Sequence, residues 1–592
     1  MSDYKFPYKD ASFLINHILD FDQACLDAGL EEVNSELADA ILEEAGRLGS
    51  EVFAPLNAIG DTSGATLEKD GVHETPGFAE AYRQYADMGW AALTADEEYG
   101  GQAMPRVLGA ATTEIWYSAC TALSLCPLLT TGAVEAIARH GTDSLKSTYL
   151  PDLISGNWTA SMCLTESAAG SDLAAVACKA VPEDDHYLVS GQKIYITWGD
   201  HQMTENIIHL VLARLPDAPA GVRGISLFLV PKFLLDENGR PGKRNDAYCV
   251  GIEHKLGIHG SPTCTLNFGD NGGAVGYLVG QPNKGLVAMF TMMNEARQGV
   301  GIQGLGVSER SYQQALPYAM ERLQGTRSDG SRYPIIEFPD VRRMLMLMKS
   351  ATEAMRGLAY VAAAESDLEH NATDPKEAQE HASRVGMYTP IVKGWLTELS
   401  QEITYLGTQV HGGMGYIEET GSAQFYRDAR IMTIYEGTTG IQGLDLAGRK
   451  TLGDNGAALQ DLLDEIQATV KAMSAVDRLS VMAESLQQAV QCGVEARAWL
   501  LENGPQDRNA AGGASVNFMM LMGYLCGGWV MGKAAIKATQ MLQADGADEA
   551  FLKTKQVTAQ FYFDHLLPRT ASYLVPIKAG NGSMMALDAE QF

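Results

Sequence analysis

The sequence predicts an α+β protein of several domains, and three observations predict it. Its 592 residues are too many for one hydrophobic core, so three or four domains follow from length alone. Apolar residues recur at helical spacing up to about residue 158 and again from about Gly285 onward. Between these stretches lie short β-branched and aromatic runs separated by turns, not helices. The expected architecture is a helical N-terminal domain (1–158), a central antiparallel β-barrel or sandwich domain (159–284), a helix bundle (285–452) and an additional C-terminal helical domain (453–592).

Taken in order, Phe13-Leu-Ile-Asn-His-Ile-Leu and Leu37-Ala-Asp-Ala-Ile-Leu-Glu-Glu-Ala-Gly-Arg-Leu place apolar residues on one helical face with charges between. Gly60 to Gly71 interrupts that pattern with Gly, Asp and Ser. The acidic cluster before Gly100-Gly101 reads as a solvated loop and is assigned no chemistry. From about Asn157 the runs Tyr187-Leu-Val-Ser, Lys193-Ile-Tyr-Ile-Thr, Asn206-Ile-Ile-His-Leu-Val-Leu-Ala, Gly224-Ile-Ser-Leu-Phe-Leu-Val-Pro and Cys264-Thr-Leu-Asn-Phe read as strands. Val287-Ala-Met-Phe-Thr-Met-Met and Val341-Arg-Arg-Met-Leu-Met-Leu-Met then present methionine-rich apolar faces, read as bundle core. Gln324 to Pro334 is expected to interrupt the bundle as a mobile loop. After Gly453-Asp-Asn-Gly456 a last helical region begins, split by a Gly-rich linker near 503–515.

A formal charge of −29 excludes the basic patches that nucleic acid or an anionic membrane surface requires. An anionic nucleotide remains compatible, held by local Arg and backbone N–H groups. Nine scattered cysteines with no Cys-x-x-Cys pair read as reduced thiols, not as a zinc site or a disulfide framework. Met-Ser-Asp-Tyr-Lys-Phe has no signal-peptide core, so a cytoplasmic location is expected. The uncharged stretch from Asn509 to Gly532 contains a G-x-x-x-G at Gly523 and Gly527. Its first seven residues read as a loop, which leaves an apolar core short of the ~20 residues of a membrane span. It is expected to be a buried helix with close glycine packing, not a transmembrane segment.

One carboxylate organises the functional reading. Glu436 ends the mostly apolar run Ile431-Met432-Thr433-Ile434-Tyr435 and is followed by Gly437-Thr438-Thr439-Gly440. Spacing alone favours a solvated turn Glu; burial on such a glycine turn would raise the carboxyl above its ordinary pKa and make it a usable base near neutral pH. Gly299-Val-Gly-Ile-Gln-Gly304 matches a dinucleotide fingerprint, but a helical stretch precedes it instead of a strand. Close helix packing is the better reading there.

Three further stretches bear on Glu436. Met162-Cys-Leu-Thr-Glu-Ser-Ala-Ala-Gly-Ser-Asp172 is a small-residue loop rich in hydroxyls and backbone N–H groups. Lys193-Ile-Tyr-Ile-Thr-Trp-Gly199 puts Tyr195 and Thr197 two apart, on one strand face. Gln409-Val-His-Gly-Gly-Met-Gly-Tyr416 has glycines that admit a ligand closely or simply make a turn. Ordered as they are, with Arg427-Asp428 and Tyr435-Glu436-Gly437-Thr438, these stretches resemble the acyl-CoA dehydrogenase family over about residues 30 to 450. The resemblance extends to the long bacterial branch with an added C-terminal helical domain, which includes fatty acyl-CoA and methylmercaptopropionyl-CoA dehydrogenases.

The resemblance implies FAD as cofactor, with Met162, Leu164, Thr165 and Ser171 lining the flavin, Tyr195 over the ring and Thr197 near its reactive nitrogen. It implies Arg322 as a pyrophosphate ligand, Gln409, Gly412 and Gly413 as adenosine contacts from a neighbouring subunit, and Thr438 as another FAD contact. It implies Asn294 and Arg297 as CoA ligands, with Ser171 and Tyr435 also facing substrate, and Glu436 as catalytic base. No metal is implied. Three positions depart from the pattern: Ser167 replaces a common Pro, Gly440 stands where relatives have Gln or Glu, and the Gln324 loop begins two residues after Arg322. His411 and His259 read as local structural groups.

The implied reaction is α,β-dehydrogenation of an acyl-CoA: the base takes the α-proton, the flavin takes the β-hydride, and the base's own N–H helps polarise the thioester carbonyl. A medium- or long-chain fatty acyl group is the first expectation, within β-oxidation and with electron-transfer flavoprotein as acceptor. A methylmercaptopropionyl thioester or an oxygen-using acyl-CoA oxidase is the alternative. Glu295, two residues before Arg297, is a rival base, and a flavin-free scaffold is the non-enzymatic reading. A homodimer is expected over a tetramer.

Overall fold

The structure, a computed structural model, describes residues 4–592. The chain forms two compact units. One comprises residues 47–104 and 119–296; the other comprises residues up to 46, 105–118 and 297–592.

The first unit is built on an eight-stranded sheet. Its main path runs Ala247–Ile252, Thr263–Phe268, His186–Thr197, Ala274–Val279, Ile225–Pro231, Asn206–Arg214 and Trp158–Cys163, with Lys179–Glu183 pairing off the path. The long strand His186–Thr197 is shared between two halves. Val189 pairs with Ala274 and Ala180, whereas Gly191 pairs with Phe268. Gly191 marks the change of partner, at φ 134, and a Cβ there would meet Cys178 Sγ at 2.4 Å. Val189, Val211, Phe228, Ile196, Cys264 and Phe268, drawn from both halves, share one core. The pairing is antiparallel except where Trp158–Cys163 runs parallel to Asn206–Arg214 and where Lys179 pairs with Arg214. That parallel pairing corrects the purely antiparallel expectation. Asn206–Arg214 is buried on both faces: Ile208, Leu210 and Leu212 pack on the helices and Val211 on the other half of the sheet. This is why it reads as a continuous apolar run.

The second unit is helical. Gly285–Glu321, which begins in the first unit, continues into it, followed by Pro339–Asn371, Pro375–His411 and Arg508–Met541. Proline starts two of these helices, where its missing N–H costs nothing. Met344 and Met348 are buried, as expected of core methionines. The Gly299–Gly304 motif is a helix contact: a Cβ on Gly301 would meet Val392 O at 2.8 Å and one on Gly304 would meet Leu396 O at 3.0 Å.

Local expectations needed correction in three places. Residues 508–515 are the first turns of the Arg508–Met541 helix, not a loop, with Asp507 capping it through the Asn509 N–H. That helix is long and apolar enough to cross a membrane, but its most apolar window is 89% buried, so it is a core helix. The second such helix, Arg106–His140, is 83% buried over the corresponding window. Gln324 to Pro334 forms a β-hairpin, Leu323–Thr326 against Arg332–Pro334, not a mobile loop. The break at Gly60–Gly71 ends in another hairpin, Thr66–Glu68 against Gly71–His73.

Candidate active site

Glu436 follows a short 3-10 turn, Arg430–Thr433, anchored by packing of Phe425, Ala429 and Met432 against Val300 and Val307. Ile431 and Tyr435 lean on the same cluster, and the Tyr435 hydroxyl donates to the Gln303 side-chain oxygen. At Glu436 the backbone turns left-handed, with φ 55, and Gly437 follows at φ 90. A non-glycine residue in that region costs of order 1 kcal/mol or more and persists only where its surroundings hold it.

Three side chains hold this turn by its carbonyls. Arg297 Nε donates to Glu436 O at 3.4 Å, Gln442 Nε2 donates to the same oxygen at 3.2 Å, and Lys393 Nζ donates to Gly437 O at 2.6 Å. Thr438 caps the next helix by accepting from the Ile441 N–H at 3.3 Å. The Thr439 hydroxyl donates to Glu398. Glu436 retains partial exposure. Burial raises its carboxyl pKa, while Arg297 and Lys393 oppose the rise. Among the described residues, the Glu436 N–H meets no acceptor within the chain, so it is free to donate to a ligand carbonyl.

In the first unit, the loop after Trp158–Cys163 is fastened to the strand that carries Tyr195 and Thr197. Ile194 N donates to Thr165 O at 2.9 Å, and Lys193 Nζ donates to Leu164 O at 3.0 Å. Glu166 is buried and ties the loop together. It accepts from Lys193 Nζ at 2.7 Å and from the N–H groups of Ala177 and Cys178 at 2.7 and 3.1 Å. A β-bulge sets Ile194 and Tyr195 opposite Thr265 alone, and Tyr195 takes φ 59. Tyr195 is thereby 60% exposed, and half-buried Thr197 lies two residues on, past buried Ile196. Met162 and Thr165 are half-buried, Leu164 is buried and Ser171 is exposed. The hydroxyls of Thr165, Ser171 and Thr197 make no hydrogen bond within the chain among the described residues. An exposed ring, apolar neighbours and unused hydroxyls on a loop and the strand it is fastened to are a set that a flavin fits.

The remaining expected residues are placed as follows. Asn294 is exposed and Glu295 half-buried on the Gly285–Glu321 helix. The Arg297 guanidinium is 4% exposed, lies 3.7 Å from Asp445 and is directed at the Glu436 turn. Arg322, Gln409, Gly412 and Gly413 are all exposed. His411 is buried with Nδ1 on Gly407 O at 2.7 Å, and His259 sits between Asp61 and Lys255 carbonyls, so both are structural. Sequence reasoning did not single out Lys193, Glu166, Lys393 or Gln442 for these roles. The one signal available was an ionisable residue at a core position: Lys193 interrupts a strand's buried side, and Lys393 lies in the apolar run Ile391-Val-Lys-Gly-Trp-Leu.

Comparison with known proteins places the whole architecture. Residues 62–157, 161–271 and 283–451 match the N-terminal, middle and C-terminal domains of acyl-CoA dehydrogenases, and 462–588 match an acetyl-CoA dehydrogenase C-terminal-like domain. The chain is 47% identical over 574 residues to a 3-methylmercaptopropionyl-CoA dehydrogenase of Ruegeria pomeroyi, covering 95% of this chain and 96% of that one. It is 33% identical to a butyryl-CoA dehydrogenase of Syntrophomonas wolfei, covering 100% of this chain and 99% of that one. An acyl-CoA dehydrogenase of Bacillus anthracis, solved with FAD, shares the fold at a TM-score of 0.73 and 20% identity, over 92% of this chain and 88% of that one. The chain therefore belongs to the acyl-CoA dehydrogenase family, FAD-dependent oxidoreductases that dehydrogenate the acyl group of acyl-CoA thioesters, in the form extended by a C-terminal helical domain.

Proposed function

We propose that this enzyme dehydrogenates a short acyl-CoA between its α and β carbons, with a 3-methylmercaptopropionyl group as the preferred acyl chain and Glu436 as the base. The 47% identity to a 3-methylmercaptopropionyl-CoA dehydrogenase, over nearly the full length of both chains, supports the acyl group. It moves the preference away from the medium- or long-chain fatty acyl group expected from the sequence. The observation that supports the base is the turn at Glu436. Its carboxylate is held on a left-handed backbone, its pKa is raised by burial, and its own N–H is free.

In this reading Glu436 accepts the α-proton at a carboxylate oxygen while its N–H donates to the thioester carbonyl, so charge developing on that oxygen meets a fixed donor. Bound FAD supplies the two-electron acceptor for the β-hydride. Met162, Leu164, Thr165, Ser171, Tyr195, Thr197 and Thr438 are assigned to the flavin. Arg322, Gln409, Gly412 and Gly413, all exposed, are assigned to its pyrophosphate and adenosine, the last three from a second copy. Exposed Tyr405, Met414, Tyr416 and Ile417 around that glycine turn support a homodimer contact there. Asn294 and Ser171 are assigned to the acyl-CoA, with Tyr435 beside it; Arg297, expected as a CoA ligand, is assigned to the Glu436 turn instead, because its guanidinium is 4% exposed and donates to Glu436 O. The location proposed is cytoplasmic and the acceptor proposed is electron-transfer flavoprotein.

The test is a rate profile over acyl-CoAs from butyryl to palmitoyl, with 3-methylmercaptopropionyl-CoA included. The highest kcat/KM is expected for the thioether, with butyryl-CoA next. A maximum at palmitoyl-CoA would overturn the assignment. Peroxide yield measured against electron-transfer-flavoprotein reduction distinguishes a dehydrogenase from an oxidase.

A further inference from the structure

We propose that Lys393 is a positioning residue for Glu436: its buried ammonium holds the left-handed turn and keeps the carboxylate in the ionised form that accepts a proton. This rests on the reading of Glu436 as the base.

Lys393 lies mid-way along the Pro375–His411 helix with no exposed surface. Its Nζ donates to the carbonyl of Gly437, the residue after the base, at 2.6 Å. Among the described residues it has no carboxylate within 4.0 Å. A buried ammonium without a direct ion pair is costly, and a methionine of similar length would fill the space more cheaply. Folding alone does not explain a lysine here.

The groups facing it do. Glu436 approaches from the turn and Glu398 from its own helix, and both act on it electrostatically. Arg297, from the Gly285–Glu321 helix, is the facing cation, but it is tied to Asp445, which in turn pairs with Arg449 at 2.7 Å. Arg297 shares Asp445 with Arg449, so it too favours ionised Glu436, and more strongly than Lys393 does; Lys393 adds a second cation, whose facing carboxylates are Glu436 and Glu398. Burial brings the Lys393 pKa down to about 8, against the pull of Glu436. Lys393 is thus charged at neutral pH and loses its proton as pH rises through about 8. The pair works in both directions: the cation favours ionised Glu436, and ionised Glu436 favours the cation.

The experiment compares FAD-loaded wild type with Lys393→Met, Lys393→Arg and Glu436→Gln. Single-turnover flavin bleaching by butyryl-CoA is followed from about pH 5 to about pH 10. In Lys393→Met the acidic limb is expected to move up by about one unit, a rate roughly tenfold lower on the acidic side, and the inflection near pH 8 is expected to vanish. Lys393→Arg is expected to keep the acidic limb of wild type. Independently of turnover, the infrared band of a protonated carboxyl that disappears in Glu436→Gln is expected to persist to higher pH in Lys393→Met. Unfolding by urea is expected to show Lys393→Met no less stable than wild type. A Lys393→Met profile identical to wild type, or slowed evenly with an unmoved limb and band, would overturn the proposal. If Glu436→Gln itself bleaches at the wild-type rate, the base assignment fails instead. A dead Glu436→Gln beside a wild-type-like Lys393→Met removes the lysine alone.

Discussion

Gly523→Ala probes the contact that seats the C-terminal helical region on the helix bearing Lys393. A Cβ at Gly523 would stand 2.1 Å from Trp395 Cγ and 2.5 Å from its Cβ and Cδ1. Trp395 is fully buried and packs edge-on against Tyr524 at 5.6 Å, so it has nowhere to swing. The helices are locked at a second point as well, because a Cβ on Gly394 would meet Met519 Sδ at 2.1 Å. Relief therefore requires the helices to part, and overpacking of this kind costs about 1–3 kcal/mol. The alanine recovers up to about 1 kcal/mol of helix propensity, leaving a net loss of up to about 2 kcal/mol. Gly512, on the same helix, is the control: its nearest neighbour would be Leu444 Cδ2 at 4.0 Å. Gly512→Ala is expected to gain about 0.5–1 kcal/mol, and because that propensity gain is common to both sites the two variants differ by the overpacking cost, roughly 1–3 kcal/mol. Urea unfolding midpoints measure that difference directly. A Gly523→Ala protein as stable as Gly512→Ala would refute the packing cost. Because Trp395 lies two residues from Lys393, the same variant is expected to slow flavin bleaching.

Lys193→Met leaves Glu166 with only two backbone donors and frees Leu164 O, so the loop proposed to line the flavin should loosen. FAD affinity, read by equilibrium dialysis, is expected to fall about tenfold with little change in secondary structure. Arg356→Met strands Glu114 and Glu309, which now accept from that guanidinium at 2.7 and 2.6 Å in the core. A loss of about 3–5 kcal/mol in unfolding free energy is expected. Asp10 is the pH case. Burial raises its pKa, but Lys555, Lys349 and Arg356 outweigh burial and bring it from 3.8 to about 2. Its contribution is therefore present above pH 3.8 and lost as pH falls through about 2. Lys555→Met should cost stability at neutral pH, and the gap to wild type should narrow across that window. A gap independent of pH would refute the pairing.

Helix faces, strand runs and the Glu436 turn were legible because each is written in local spacing. Apolar positions three and four apart give the helices, and Tyr435-Glu436-Gly437-Thr438 gives the turn. What escaped depends on partners distant in sequence. The glycines at 511–515 read as loop, yet they are helical, because Gly512 and its neighbours sit in a helix whose stability comes from packing further along. The parallel pairing of Trp158–Cys163 with Asn206–Arg214 leaves no local trace, since strand direction is set by a partner more than 40 residues away. Gln324 to Pro334 looked mobile from its Gly, Ser and Asp content, but those residues make the tip of a hairpin. At the site, the sequence marks the Glu436 turn but not what holds it. Lys393 is 44 residues before the carbonyl it binds, and Lys193 is 27 after the carboxylate it pairs with. The spacing also gave no reason to direct Arg297 at Glu436 O, where the structure puts its Nε.

The most direct measurement is stopped-flow bleaching of FAD-loaded Glu436→Gln by 3-methylmercaptopropionyl-CoA and by butyryl-CoA, beside wild type. The side chain keeps its size and its turn, and only the proton acceptor is removed. The account predicts unchanged FAD content, retained acyl-CoA binding and a bleaching rate lower by about a hundredfold to ten-thousandfold. A variant that bleaches as fast as wild type would contradict it.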